Sequence, residues 1–356
     1  METLVPFIPT DADLKNPLAR RYMEEAGYLT NLRGSDPHGA SGSNWTDKEV
    51  HVVRAIPLVN VHSERMIPKE YFPTEDNPDL RAASIDDIRE FQADKFSGNT
   101  YQLLFDILSK LSVTKTSEAE ILNNLQQSDS SSSDLSTSST ENSAENTSTD
   151  ALKMYLGMVE ENEDMSLNVY GTPTRFIWHI AGMKFEATND GNIGVNYRGR
   201  YSRSDRNSKT PAVGFECKVR HAAGVKRGSG EAEDFLASVF RQEVAQLIGG
   251  LISQRRMLIR HPDQELFVIG MHGTVLYFSA AYFPPEYIRY LEMDHSANAY
   301  GPATIFLWVR RSRHFDFKST EDRVQALKFL WALITYIASG TARVNIVFSA
   351  LRVARN

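Results

Sequence analysis

The feature that most constrains this chain is the apolar run Ala212-Val213-Gly214-Phe215-Glu216-Cys217-Lys218-Val219, which carries two charges inside a strand-like sequence. Its β-branched and aromatic residues mark a strand. Side chains alternate across a strand, so Glu216 and Lys218 share one face while Phe215, Cys217 and Val219 share the other. A carboxylate and an ammonium taken out of water cost free energy unless each meets a partner. A hard divalent cation and a phosphate would supply such partners. A plain ion pair on a half-exposed strand is the other account of the same residues.

The charge around this strand is uneven. The net charge is -6, yet the segment from Thr116 to Asp150 holds seven acidic residues and no Lys or Arg, which leaves the remainder near neutral. From Arg198 to Arg227 the balance reverses, with nine basic residues against Asp205 and Glu216. A local basic excess suits an anionic partner such as nucleic acid; it also suits a solvated arginine-rich hairpin. Cys217 is the only cysteine, which excludes an intrachain disulfide and a Cys-based zinc site and fits a reducing compartment. The start Met1-Glu2-Thr3-Leu4-Val5-Pro6 has no basic region followed by an apolar run, and no stretch is long enough to span a bilayer. The expectation is an intracellular protein, nuclear or cytoplasmic, neither secreted nor membrane-bound.

Composition divides the chain in three. The tract from Ser128 to Asp150 lacks aromatics and is rich in Ser, Thr, Asn and Glu. It buries too little apolar surface to offset its ordering entropy, so residues 113–150 are expected to be a disordered acidic linker. Residues 1–112 form a segment of helices and loops, with helices expected over Asn16–Tyr28, Asp47–Ile56 and Asn99–Leu111, and with Pro57, Pro68, Pro73 and Pro78 breaking the stretch between. Residues 151–350 have the pattern of one α/β domain. Arg175–Ile180 is a strand or a helix. Strands follow over Lys184–Thr188 and Ile193–Ser202 with a turn at Asn189–Asn192, and then comes the strand of Glu216. A helix over Glu233–Ser253 leads to a hairpin, Glu265–Met271 with Thr274–Ser279. A strand at Thr304–Arg310 and a helix over Thr320–Ala338, stopped at Gly340, complete the domain. The order is that of a mixed β-sheet flanked by helices. Glu186 is either a surface ion-pair residue, the commoner role, or an extra metal ligand, and the dispersed histidines show no ligand spacing.

A hairpin bearing an acid, then Glu-x-Lys, then a long helix and further strands resembles the PD-(D/E)XK nuclease superfamily. The residues that carry the resemblance are Asp190-Gly191, Glu216-Cys217-Lys218 and Gln242-Glu243-Val244-Ala245-Gln246. The last is similar to the Gln-x-x-x-Tyr pattern of RecB-like nucleases, with Gln246 where that family has tyrosine. Arg311-Ser312-Arg313-His314-Phe315-Asp316-Phe317 with Glu321-Asp322-Arg323 is similar to the end of fungal PD-(D/E)XK nuclease-like proteins. The resemblance covers about Tyr170 to Gly340. It implies a restriction-endonuclease-like fold and metal-dependent hydrolysis of DNA or RNA, or an inactive relative that keeps the fold for binding. It further implies Mg²⁺ or Mn²⁺ held by Asp190, Glu216 and the carbonyl of Cys217, with Lys218 on the attacking water or the phosphate. Gln242 would orient the water, and Arg198, Arg200 and Arg203 would follow the nucleic-acid backbone. The metal-binding aspartate is open. Asp190 lies 26 residues ahead of Glu216 and Asp205 lies 11 ahead. In a regular hairpin the residues opposite Glu216 would be near Asn196 or Arg198, and neither is acidic.

Overall fold

A computed structural model describes residues 7–32, 40–74, 166–196, 210–218, 235–256, 260–292, 305–317 and 319–354. The expected helix at Asn99–Leu111, the acidic linker, Arg198, Arg200, Arg203 and Asp205 lie outside the described residues.

The centre of the molecule is the hairpin β8 (Gln264–His272) and β9 (Val275–Phe283). Every residue of β8 is buried, as a strand covered on both faces requires. The hairpin closes on Gly273-Thr274, and Gly273 has φ 61°, the left-handed conformation that a two-residue hairpin loop demands. Strand β7 (Val213–Lys218) lies parallel to β8, so the chain between them must cross over, and it does so through helix α4 (Ala237–Gln254). Outward from β7 come β6 (Gly191–Asn196) and β3 (Ser166–Tyr170), both antiparallel. On the other side β10 (Leu307–Arg311) is antiparallel to β9, and β2 (Ala55–Leu58) is parallel to β10. The strand order is β2-β10-β9-β8-β7-β6-β3, with the short β11 (Phe315–Asp316) also paired to β9. The protein is thus a mixed α/β structure with an open mixed sheet flanked by helices.

Helix α4 covers one face. Helix α6 (Thr320–Ala338) covers the other, where Phe329 stacks on Phe278 with ring centroids 4.2 Å apart. The Ser319 hydroxyl accepts the Asp322 N–H at 3.3 Å and acidic residues fill the first turn of α6, the arrangement a helix start favours. Helices α5 (Pro285–Glu292) and α7 (Asn345–Ala354) add to the expected order. The N-terminal segment joins this core. Asn16 caps α2 (Pro17–Glu24), Thr46 caps α3 (Asp47–Val52), and β2 is an edge strand of the large sheet. The Tyr290 hydroxyl of α5 donates to the Val52 carbonyl at 2.7 Å. Among the described residues no helix is long and apolar enough to cross a membrane.

A second sheet of three strands, β1 (Ala40–Ser41), β5 (Met183–Asn189) and β4 (Thr174–Ile180), packs under α4. Phe176, Trp178 and Ile180 are buried in strict alternation with exposed neighbours, so Arg175–Ile180 is strand. Glu186 of β5 pairs with Arg175 of β4. The segment Asn189–Asn192 is not the expected turn. The chain runs from β5 into β6 with a single bend at Asp190, leaving one sheet and entering the other. Its β-strand begins at Gly191, two residues before the expected start, because the pairing with β7 extends that far.

Candidate active site

Glu216 sits in the middle of the large sheet, 2% exposed, beneath α4. Phe215 and Cys217 on the opposite face are fully buried, as the alternation dictates. From α4, Gln242 and Gln246 each donate a side-chain amide hydrogen to the carboxylate, one to Oε1 and one to Oε2. The i, i+4 spacing brings both amides to one helix face. Gln246 Nε2 also donates to the Thr188 carbonyl at 3.1 Å, which ties the site to β5. Gln246 Oε1 is buried with no hydrogen-bond partner among the described residues.

Asp190 stands beside Glu216. The register pairs Gly191 with Phe215, Asn192 with Gly214 and Ile193 with Val213, so the residue alongside Glu216 is Asp190 and not one near Asn196 or Arg198. Asp190 N–H donates to the Phe215 carbonyl at 3.0 Å, and the Cys217 N–H donates to Asp190 Oδ2 at 2.6 Å. Where the backbone turns away at the sheet switch, a carboxylate takes the place of the missing ladder acceptor on β7. The spacing of 26 residues is met by a long connection between β6 and β7, not by a tight hairpin. Gly191 makes the approach possible: a Cβ there would lie 2.1 Å from the Phe215 ring.

Lys218 ends β7 in register with His272 of β8; its backbone alone is described. Gly270 is the register neighbour of Glu216 and is itself paired with Tyr277. The Tyr277 ring lies over Gly270, where a Cβ would come within 2.0 Å of it. Tyr277 Oη and His272 Nε2 are 3.1 Å apart, and both side chains are buried. Next to them, Arg311 of β10 meets Glu243 of α4 at 2.7 Å, and the Ser279 hydroxyl donates to the same Glu243 Oε2 at 3.2 Å. Burial works to lower the Arg311 pKa, but the Glu243 carboxylate beside it and Tyr277 more than reverse this, so the guanidinium is held charged. Burial, seconded by the Glu243 charge, raises the Tyr277 hydroxyl well above its ordinary range.

Sequence reasoning did not single out Glu243, Tyr277, His272 and Arg311 as one group. The only signal was a charged or polar residue set in an otherwise apolar run, as at Glu243 and Arg311. What the structure gathers around Glu216 is the Asp190 carboxylate, the Cys217 backbone and the side-chain amides of Gln242 and Gln246. Among the described residues no three His, Cys, Asp or Glu side chains cluster as a self-contained metal cage. Two carboxylates suit an ion that keeps several of its waters.

No protein-family model matches the chain, and no curated protein matches it at a significant level.

Proposed function

We propose that this protein is a PD-(D/E)XK nuclease-fold phosphodiesterase that hydrolyses DNA or RNA with Mg²⁺ or Mn²⁺ at Asp190 and Glu216. The observation that carries the reading is the hydrogen bond from the Cys217 N–H to Asp190 Oδ2, which sets an aspartate beside the Glu-x-Lys strand. The order of elements supports it as well: an acid at the head of β6, Glu-x-Lys on β7, the long α4, then the parallel strand β8. This is the arrangement that the resemblance of the sequence leads one to expect of a restriction-endonuclease-like fold.

Each residue then has a task. Asp190 and Glu216 supply carboxylate oxygens to the cation, and the Gln242 and Gln246 amides fix the Glu216 carboxylate so that it is already oriented. When bound, the divalent ion lowers the pKa of a water and offsets charge on a phosphoryl oxygen. Lys218, two residues along the strand from Glu216, supplies a point charge for the phosphate or the attacking water. Arg198, Arg200 and Arg203, on the connection between β6 and β7, give salt-dependent affinity for the nucleic-acid backbone. One observation favours a second reading, a catalytically silent module of the same fold: Glu216 is buried and both its oxygens are already taken by amides.

The test is cleavage of plasmid and of single-stranded oligonucleotide with Mg²⁺ or Mn²⁺. The variants D190N, E216Q and K218A are each expected to lose about a hundredfold or more. Wild-type protein that binds oligonucleotide but never cleaves it supports the silent module. Cleavage retained in both D190N and E216Q overturns the proposed site.

A further inference from the structure

A second concave region lies where α4 ends. Arg255 is nine residues beyond Gln246, about 14 Å along the helix at 1.5 Å per residue, so this region is separate from Glu216. It is a cleft of about 380 Å³ between the end of α4, the entry to β8 and α5, within the size range of small-ligand pockets. Its walls are apolar at Pro262, Pro285 and the buried Ile288.

The polar groups around it are basic and partly organised. Arg255 grips Glu292 with two nitrogens, at 2.8 and 3.4 Å, and this cancels one charge of each sign. Arg260 Nη1 donates to the Arg255 carbonyl at 2.7 Å, which occupies one of the acceptors that the end of α4 turns toward the cleft. The rest of the Arg260 guanidinium and all of the exposed Arg289 make no hydrogen bond or ion pair with a described residue. Among the described residues, these two positive charges line the cleft beside a single acid, Glu292, which is already paired with Arg255. His261 forms part of the same lining and is 6% exposed. Its Nδ1 faces Arg343 Nη1 at 3.0 Å. Arginine only donates, so Nδ1 accepts and the ring proton sits on Nε2. Nε2 is buried and has no partner among the described residues, a donor that calls for an explanation.

We propose that this cleft binds a mononucleotide, with its phosphate between Arg260 and Arg289 and its flat, less polar body against Pro262 and Pro285. Arginine forks match phosphate oxygens in pairs. Nothing in the proposal depends on hydrolysis at Glu216.

Calorimetric titration of the full chain tests it, with AMP, inorganic phosphate, adenosine and a short oligonucleotide as probes. AMP is expected to bind more tightly than phosphate or adenosine alone. R289E and R260A are each expected to weaken AMP binding by at least about tenfold, with melting temperature unchanged. Both side chains are exposed, and R260A gives up only a solvent-exposed hydrogen bond to the Arg255 carbonyl, which water replaces; Arg255 is left intact because it anchors α5. AMP that fails to bind the wild-type protein overturns the proposal, and so does AMP affinity equal in all three proteins. Oligonucleotide binding that responds to the variants while AMP does not bind overturns the mononucleotide assignment in favour of a polymer backbone.

Discussion

The two faces of the large sheet bury acidic groups by different means. On the α4 face Glu243 and Arg311 meet at 2.7 Å, both nearly inaccessible, and the guanidinium is held charged. On the α6 face Glu265 of β8 and Arg310 of β10 are also buried but form no ion pair. Glu265 instead accepts the Tyr336 hydroxyl at 2.6 Å and the Arg343 N–H at 3.3 Å. Burial raises the Glu265 pKa and lowers that of Arg310. The leftover polar atoms differ too. Among the described residues, the buried atoms without a hydrogen-bond partner include Gln246 Oε1, Glu243 Oε1 and Arg311 Nη1 on the α4 face, and two nitrogens of Arg310 on the α6 face. The α6 cluster ties the loop after α6 to the sheet, since Glu265 N–H also donates to the Arg343 carbonyl at 3.0 Å. The α4 cluster lies near Glu216, whose register neighbour Gly270 is covered by the Tyr277 ring. One face uses its acid to tie a loop to the sheet, and the other uses its acid to hold a buried guanidinium.

The sharpest way to break this contrast is to unpair the α4 face. E243A leaves Arg311 charged and buried, at an expected cost of about 3–5 kcal/mol in urea unfolding. The double variant E243Q/R311M, which removes both charges and keeps the volume, should recover most of that loss. A cost for E243A under about 1 kcal/mol would place the pair in the class of solvent-screened ion pairs, and the contrast would fail.

A smaller effect is expected at Asp190. D190A strands the Cys217 N–H at the sheet switch and should cost about 1.5–3 kcal/mol, the range for a hydrogen bond to a charged group. D190N keeps an acceptor at the same place and should regain a good part of it. If D190A unfolds at the same urea midpoint as the wild type, the carboxylate is not the substitute ladder acceptor described above.

These residues were unequally legible in the sequence. The placing of Phe215 and Cys217 on the face opposite Glu216 follows from the period of a strand, and the limits of α6 follow from the Ser319 cap and from Gly340, which takes φ 74°. The sheet switch at Asp190 was not legible. Asn189-Asp190-Gly191-Asn192 has turn chemistry, and its extended course is dictated by hydrogen bonds to Phe215 and Cys217, 25 or more positions away. Strand β2 was hidden because Pro57 reads as a breaker; an edge strand tolerates a proline, whose missing N–H faces away from the ladder. Glu243, Tyr277 and Arg311 are joined across separations of up to 68 residues, so each looked like an isolated polar residue in an apolar run.

The α6 face offers the mildest and most specific test. An acid whose folded pKa lies above its unfolded value binds a proton on folding, so the folded state holds more protons than the unfolded one between the two values. Stability conferred through Glu265 is therefore greatest below the ordinary glutamate pKa of 4.5. It declines as pH rises through the raised folded value, which is the reverse of the effect of a carboxylate stabilised by a cation. E265Q keeps an oxygen for the Tyr336 hydroxyl and the Arg343 N–H but cannot ionise. Melting temperature followed from pH 4.5 upward should show the wild type losing stability relative to E265Q as pH rises, with the two nearly equal at the acid end. A difference that instead grows as pH falls would mean that Arg310 holds Glu265 ionised, and the two faces would then bury their acids in the same way.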